Sequence, residues 1–376
     1  MIYFDNAATS RIKPESVYDA LNFYLREIGV SPGRGSYQMS INSSRMLYQS
    51  RKTIAHYFGL KDSTNVIFTK NSTEAINLFF RGFLQKGDHV LISCYEHNAV
   101  LRPLQYLKTM GIIDYTVIER KDLYLTPAEI FNKYANDHTR LLATTLASNL
   151  TGRVIFKKEL FEYFVKKGIK TFVDSSQGAG KICLNMIEDY IDFLAFTGHK
   201  DLYAIPGVGG LCYKEKFDLE PFIQGGTGIH GELYTNPKVF PEGYEAGTLN
   251  MPAIWALKTA IEYIKENRSK KLVYEKAITD YFLEKLCAIE RITVYDKEFP
   301  RVSTLAFNVD GVSSDKVVSF LDKHSICVRG GIHCAILAHE ALNTVSTGAV
   351  RVSLDHNNTY NEINEFINVI KMVGEQ

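Results

Sequence analysis

The sequence predicts an α/β fold with a mostly parallel central sheet, because strand-like and helix-like runs alternate through the first two thirds of the chain. Apolar runs at 66–69, 89–93 and 141–148 are each followed by a helical stretch, and further strands are predicted at 171–174, 193–196 and 209–213. Strands separated by helices favour a parallel sheet covered on both faces. Ligands then bind beyond the carboxyl ends of the strands.

Two domains are expected, because 376 residues exceed the size at which a single core usually stops growing. We place the large domain at 1–252, with residues 1–14 able to pack on the other domain, and a smaller α+β domain at 253–376. A helix from Met251 through Ile264 is predicted to bridge them. Residues 223–244 are rich in Gly and Pro and are predicted to form a long loop, which is typical of a functional or partner-contacting segment.

Composition narrows the function classes. The chain is 45% hydrophobic and 23% charged, as in ordinary globular enzymes. With 43 basic and 42 acidic side chains, nothing indicates a nucleic-acid partner. Six cysteines are too few for a disulfide scaffold, and none are spaced as CxxC, which argues against a zinc ribbon or a thioredoxin-like pair. No secretory signal or membrane-spanning run is recognised, so we expect a cytoplasmic protein without a membrane partner, whose thiols are free for chemistry.

Two residues at strand ends indicate the chemistry. Lys200 ends the segment FTGHK in an apolar neighbourhood, and burial lowers a lysine pKa and favours the nucleophilic amine. Taken alone, Lys200 is better explained as a strand-end lysine that points to water. Asp174, in VDSSQ, follows another apolar strand and reverses this interpretation. Pyridoxal phosphate requires a lysine for its Schiff base and a carboxylate that keeps its ring nitrogen protonated.

The chain resembles the class V aminotransferase group of fold-type I pyridoxal phosphate enzymes. The residues that carry the resemblance are Asp174, Gln177, Thr197, His199 and Lys200. RGGIHCA at 329–335 narrows it to the cysteine desulfurase and selenocysteine lyase branch, and PEGYEAGTLN at 241–250 resembles an EGY-motif subgroup. The similarity extends from residue 3 to the RVSLDH segment at 351–356. It implies pyridoxal 5'-phosphate as the cofactor and a homodimer as the assembly.

A phosphate site is predicted at the start of a helix. Ser72 and Thr73 lie between a strand and a helix, where unpaired N–H groups and the helix dipole favour an anion. An ordinary capping box with Glu74 explains these residues equally well. The resemblance implies that they hold the cofactor phosphate, with Thr197 and His199 on the other side.

Further cofactor contacts are implied by the same resemblance. His97 matches a histidine that stacks on the ring, although a lone histidine is more often a structural hydrogen-bonding residue. Asn149 and Gln177 correspond to residues on the ring-oxygen side, and Asp174 to the partner of the ring nitrogen. Thr248 corresponds to a threonine that reaches the phosphate from the neighbouring subunit.

Sulfur chemistry is predicted at Cys334, which lies in a glycine-rich loop beside Arg329 and His333. Positive neighbours lower a thiol pKa, although Cys334 alone would leave a structural role equally open. Five cysteines are expected to be small buried apolar residues: Cys94, Cys183, Cys212, Cys287 and Cys327. Arg351 matches the arginine that binds the substrate carboxylate, with Arg329 and Asn149 beside it. A surface strand arginine is the alternative.

The resemblance implies a cysteine desulfurase that converts L-cysteine to L-alanine. Lys200 moves the Cα proton, His97 assists, and Cys334 accepts the sulfur as a persulfide that passes to an acceptor protein. A selenocysteine lyase, or another class V lyase or transaminase, would use the same Lys200 and Asp174. A non-catalytic scaffold of this fold would not need the full residue set. Tyr37 departs from the family, since many relatives carry histidine there.

Overall fold

The computed structural model describes residues 1–33 and 35–374. The strands are β1 (Ile2–Tyr3), β2 (Val66–Thr69), β3 (His89–Ser93), β4 (Asp114–Ile118), β5 (Thr139–Thr145), β6 (Lys170–Asp174), β7 (Phe193–Thr197), β8 (Gly209–Tyr213), β9 (Ile292–Val294), β10 (Thr304–Val309), β11 (Ile326–Cys327) and β12 (Val350–Ser353). The helices are α1 (Glu15–Phe23), α2 (Gln38–Tyr57), α3 (Ser72–Phe83), α4 (Asn98–Thr109), α5 (Pro127–Tyr134), α6 (Lys158–Lys166), α7 (Met251–Cys287), α8 (Ser314–Lys323), α9 (Ile336–Ala341) and α10 (Tyr360–Lys371).

A seven-stranded sheet forms the centre of the fold, in the order β2-β8-β7-β6-β5-β3-β4. Only β8 runs against its neighbours, so the predicted mostly parallel sheet is confirmed. Strands β3, β7 and β8 are buried along their whole length, because helices cover both faces. Phe79 of α3 packs on this sheet against Phe172 and Phe193, with ring centroids 5.0 and 4.3 Å apart.

The register of the central sheet brings the strand ends together. Thr145, the last residue of β5, pairs with Asp174, the last residue of β6. Asp174 in turn pairs with Ala195 of β7, two residues before that strand ends at Thr197. Three neighbouring parallel strands therefore end at one edge of the sheet, and the segments that follow them start there.

A second core surrounds a three-stranded antiparallel sheet in the order β12-β10-β9. The N-terminal strand β1 pairs with β11, and Phe4 packs against Phe282 and Phe366 in this core. Strand β1 and the last helix, α10, therefore belong to the same core.

Helix α7 is longer than predicted, since it continues from Met251 to Cys287 and not only to Ile264. Lys271 and Glu275, which lie beyond the predicted end, are buried further along the same helix. Residues 223–249 form the predicted long loop, with one short 3₁₀ turn at Glu242–Tyr244. Within the described ranges, no helix combines the length and the apolar character needed to cross a membrane.

Candidate active site

A cavity of about 200 Å³ opens at the carboxyl edge of the central sheet. Its lining comprises Asn71, Ser72, Thr73, His97, Thr145, Asn149, Asp174, Ser176, Gln177, Thr197, His199 and Lys200. The fold therefore brings together every predicted cofactor residue except Thr248. Thr248 is exposed and lines a different cavity, of about 350 Å³.

The start of α3 forms one end of the cavity. The helix is capped by Asn71, whose side chain accepts a hydrogen bond from the Glu74 N–H at 3.0 Å. The alternative in which Ser72 or Thr73 is the capping residue is therefore wrong. Both residues line the cavity beside first-turn N–H groups, and those groups together with the helix dipole attract an anion.

Ser176 connects the two ends of the cavity. Its Oγ lies 2.7 Å from Ser72 Oγ and 2.5 Å from Asp174 Oδ1, and its N–H donates to the same carboxylate oxygen at 3.0 Å. This serine therefore holds the Asp174 carboxylate in place. Ser176 was not predicted as a site residue.

Lys200 comes three residues after the end of β7 and lines the cavity. Burial lowers the pKa of its ammonium group, whereas the Asp174 carboxylate opposes this shift. A lowered pKa raises the share of neutral amine, the form that attacks a carbonyl carbon. Strand β7 before Lys200 is buried along its whole length, but Lys200 itself is half-buried in a cavity lined by polar side chains, so the prediction of apolar surroundings is wrong for the amine.

His97 is the N-cap of α4, where its Nδ1 accepts the Ala99 N–H at 3.0 Å. This bond leaves Nε2 as the protonated nitrogen of the neutral ring. Burial, aided by the positive charge of Lys200, lowers the pKa of His97 to about 4. The imidazole is therefore neutral near pH 7 and can donate only through Nε2.

Several buried polar atoms of the cavity have no hydrogen-bond partner in the described part of the chain: Asn149 Oδ1, Thr197 Oγ1 and His199 Nδ1. A buried polar atom without a partner is costly unless a bound group satisfies it. A ligand with a phosphate and ring oxygens supplies acceptors and donors of the required kinds. These orphaned atoms, the α3 terminus and the Asp174 carboxylate fit pyridoxal phosphate.

The N-terminal segment is hydrogen-bonded to two residues of the cavity, Gln177 and His199. Gln177 donates to the Ala7 carbonyl at 2.8 Å, and the His199 carbonyl accepts from Thr9 Oγ1 and from the Ser10 N–H, both at 3.0 Å. Gln177 is thus oriented by residues about 170 positions earlier in the sequence. No local pattern could have identified these contacts.

Glu96 has a buried carboxyl group next to the site, and it was not predicted as a site residue. Its Oε1 accepts from Ser93 Oγ at 2.5 Å and from the Thr145 N–H at 2.8 Å, while its Oε2 is among the described atoms without a partner. Burial raises the pKa of Glu96 to about 8. An acidic residue three positions after the buried strand β3 and directly before His97 was the signal available in the sequence.

Cys334 is exposed and lies in a second cavity, of about 400 Å³. This cavity shares Thr73 and His97 with the cofactor cavity, so the thiol opens onto the neighbouring space. The backbone is held on both sides, because the Cys334 carbonyl accepts the Asn98 N–H at 2.8 Å and the His333 carbonyl accepts Asn149 Nδ2 at 2.7 Å. His333 and Cys334 both have positive φ, at 53° and 55°.

The predicted cationic surroundings of Cys334 need a correction. His333 is buried, its Nε2 donates to the Ala349 carbonyl at 2.9 Å, and burial lowers its pKa to about 3. The ring is therefore neutral and brings no positive charge to the thiol. Arg329 is exposed, and its backbone pairs with that of Arg351.

The other cysteines divide into two groups. Cys94 and Cys212 are buried, as predicted, and burial raises their thiol pKa values. The expectation of burial is wrong for Cys183 and Cys287, which are exposed, while Cys327 is half-buried. Cys287 is the last residue of α7, and Cys183 follows β6 outside any strand or helix, so neither packs into a core.

Arg351 is not a surface arginine, since only 2% of it is exposed. Its Nη2 lies 2.5 Å from Asp5 Oδ1, and its Nη1 donates to the Asn149 carbonyl at 3.0 Å. Its Nε has no partner within the described residues. A buried guanidinium with an unused N–H is suited to receive a carboxylate.

The segment that carries Thr248 is anchored by a buried ion pair. Glu245 contacts both terminal nitrogens of Arg51 and also accepts the Phe68 N–H at 2.6 Å. Glu245 belongs to the EGY segment, three residues before Thr248. The ion pair therefore fixes where the exposed loop leaves the body of the protein.

Comparison with known proteins agrees with this geometry. Residues 2–366 match the family described as aminotransferase class-V. "Probable cysteine desulfurase 1" of Mycobacterium leprae is 30% identical over 100% of this chain and 62% of its own length. "Probable cysteine desulfurase" of Pyrococcus abyssi is 32% identical over 99% of this chain and 94% of its own length. Against a second mycobacterial relative, that of Mycolicibacterium paratuberculosis, the chain spans only 56% of the relative's length.

A solved structure shares the whole fold. It is described as the apo structure of cysteine desulfurase from Thermococcus onnurineus NA1, has a TM-score of 0.90 and 30% identity, and covers 100% of this chain and 94% of its own. The fold is therefore that of fold-type I pyridoxal phosphate enzymes. The chain belongs to the class-V aminotransferase family, and its cofactor is pyridoxal phosphate.

Proposed function

We propose that this protein is a cysteine desulfurase that converts L-cysteine to L-alanine and transfers the sulfur through a persulfide on Cys334. One observation carries the proposal: the cavity of the exposed Cys334 thiol and the cavity of Lys200 share Thr73 and His97 as walls. A thiol that opens beside a cofactor cavity suits attack on a substrate sulfur. The names of the curated relatives support the same activity.

Pyridoxal phosphate, when bound, withdraws electrons from the substrate Cα. We assign Lys200 to covalent attachment of the cofactor, Asp174 to its ring nitrogen, His97 to its ring face, and Asn149 and Gln177 to its ring-oxygen side. Four residues are assigned to the phosphate: Ser72, Thr73, Thr197 and His199. Thr248 is assigned to the phosphate of a neighbouring copy, which makes the active unit a homodimer.

Each side chain of the site then has its own role in the reaction. Arg351 binds the substrate carboxylate, and the neutral amine of Lys200 removes the Cα proton. His97 is neutral and acts as a donor through Nε2. The Cys334 thiolate attacks the substrate sulfur, so that an S–S bond forms while the substrate C–S bond breaks, and its electron pair stays on carbon. Protonation of that carbon gives alanine.

The proposal also covers the sulfur acceptor, the domain boundary and the cellular location. We place the sulfur acceptor in the class of proteins with a reactive thiol. We keep the proposed boundary between the large domain, 1–252, and the small domain, 253–376, which falls one residue after the start of α7 at Met251. A cytoplasmic location is favoured by six free cysteines, a state that a reducing compartment maintains.

The test is the reaction itself, with matched cysteine variants. L-cysteine should yield alanine in stoichiometric excess over enzyme when dithiothreitol removes the sulfur, and mass spectrometry should find a persulfide on Cys334 when it is omitted. Cys334→Ser should lose alanine formation, whereas Cys183→Ser, which also removes an exposed thiol, should keep it. Alanine formation at the parental rate in Cys334→Ser would refute the assignment. Selenide release from L-selenocysteine by Cys334→Ser would indicate a selenocysteine lyase.

A further inference from the structure

The cavity that contains Cys334 has a positively charged opening that the proposed reaction does not use. Arg81 of α3 and Arg102 of α4 both line it, and both side chains are exposed. Among the described residues, no carboxylate lies within 4 Å of either guanidinium. We call the surface formed by Arg81, Arg102, Tyr106 and Phe222 the cationic mouth.

Arg81 and Arg102 differ from the described arginines whose charge is balanced by a carboxylate. Arginines that contact a carboxylate include Arg51, Arg120, Arg140, Arg153 and Arg351. The whole chain carries a net charge of only +1. Two unpaired guanidinium groups beside the reactive thiol therefore form a local positive charge that the composition does not require.

Aromatic rings hold Arg81 in position. Its guanidinium carbon lies 5.2 Å from the centre of the Tyr106 ring and 4.9 Å from that of Phe222. Tyr106 is 50% exposed and Phe222 is 37% exposed. Cation–π contacts restrict the guanidinium without neutralising it, so its hydrogen-bond donors remain available to a ligand.

The positive charge of Arg102 also acts on His97, inside the cavity. After burial and the Lys200 charge, the Arg102 guanidinium is one of the groups that lower the pKa of His97. Arg102 and Tyr106 are four residues apart on α4 and therefore share one face of the helix. The positive surface thus runs from the solvent edge of the cavity towards its inner wall.

We propose that the cationic mouth receives an acidic, thiol-bearing segment of the sulfur-acceptor protein. This inference rests on the proposed function, because only a persulfide on Cys334 has sulfur to give. The acceptor thiol loses its proton to solvent, and its thiolate attacks the outer persulfide sulfur. A new S–S bond forms on the acceptor, the old S–S bond breaks, and Cys334 leaves as a thiolate.

The residue types favour a protein segment over a small thiol. Arginine and exposed aromatic residues are enriched at protein interfaces and among the residues that dominate binding energy. Guanidinium groups bind carboxylates through two parallel hydrogen bonds, which gives geometric selection. A thiol flanked by glutamates therefore matches the charge and the hydrogen-bond donors of the cationic mouth.

The test uses three synthetic peptides with one central cysteine, flanked by glutamate, glutamine or lysine. Enzyme is first loaded with sulfur from L-cysteine, and the rate of persulfide transfer to each peptide is followed by mass spectrometry. We expect the glutamate peptide to react roughly ten-fold faster than the glutamine peptide at low salt, with the difference shrinking as salt is added. The lysine peptide should react most slowly.

Variants locate the effect. Arg81→Gln/Arg102→Gln should remove the preference for the glutamate peptide, whereas Arg26→Gln/Arg45→Gln, which removes two exposed arginines elsewhere, should keep it. Equal rates for the three peptides, or a preference that survives in Arg81→Gln/Arg102→Gln, would overturn the inference while alanine is still formed. A protein that forms no alanine from L-cysteine would instead overturn the proposed function, and this inference with it.

Discussion

Replacing Arg351 by lysine tests the proposed binding of the substrate carboxylate. In the structure, Nη2 contacts Asp5, Nη1 contacts the Asn149 carbonyl, and Nε has no partner among the described residues. A lysine keeps the charge but has one nitrogen, so it can hold the Asp5 contact and has no planar pair of donors left for a substrate. The change therefore removes at least one charged hydrogen bond to the carboxylate.

A hydrogen bond to a charged group contributes about 1.5–3 kcal/mol. Since each 1.36 kcal/mol corresponds to a factor of ten in rate, kcat/KM for L-cysteine should fall roughly ten- to one-hundred-and-fifty-fold. Part of the loss should appear in kcat, because the carboxylate contact also orients the Cα–H bond. The absorption spectrum of the bound cofactor should not change.

The assay is steady-state alanine formation over a range of L-cysteine concentrations, with thermal unfolding measured in parallel. Asp5→Asn is the matched control, because it keeps the guanidinium and removes only its charged partner. We expect a smaller loss in Asp5→Asn than in Arg351→Lys. Unchanged kinetics in a folded Arg351→Lys protein would show that another group binds the carboxylate, and the exposed Arg329 would be the first to examine.

Three further changes probe the cofactor site and its surroundings. Borohydride reduction followed by peptide mapping should place the cofactor on Lys200, and a label on any other lysine would contradict the assignment. Thr248→Ala should weaken cofactor retention on dialysis while persulfide formation on Cys334 by the loaded enzyme persists. Glu96 has a folded-state pKa of about 8 against 4.5 in its unperturbed state, so it favours folding below pH 4.5 and loses that contribution as pH rises towards 8. Urea unfolding of Glu96→Gln should therefore show a flatter decline of stability across this range, and an unchanged pH profile would contradict the raised pKa.

Much of the fold could be predicted because parallel strands have a strong sequence signal. Runs such as β3 and β8 are apolar throughout, since helices cover both faces of the central sheet. The length of α7 could not be predicted. Lys271 and Glu275 have the charge of surface residues, and only tertiary contacts bury them. The EGY-motif subgroup and the domain boundary stay predictions.

Nine of the twelve residues that line the cofactor cavity were predicted, because they follow strand ends where the resemblance is dense, whereas Asn71, Thr145 and Ser176 were not. The partners that orient them were not predictable. Asp5 lies 346 positions from Arg351, and no local pattern joins them. The charge of His333 was predicted wrongly for a related reason, since burial decides whether an imidazole is protonated and a sequence does not display burial.

The turn after Lys200 is held in place by a chain of buried charges. The Asp201 carboxylate accepts the Gly178 N–H at 2.6 Å and lies 3.4 Å from Lys181 Nζ. Lys181 also lies 3.4 Å from Glu275 of α7. Because breaking a buried ion pair leaves an uncompensated charge, such a chain resists displacement. The turn after Lys200 is therefore fixed to α7 through the Asp201–Lys181–Glu275 chain of charges, and this chain limits backbone displacement beside Lys200.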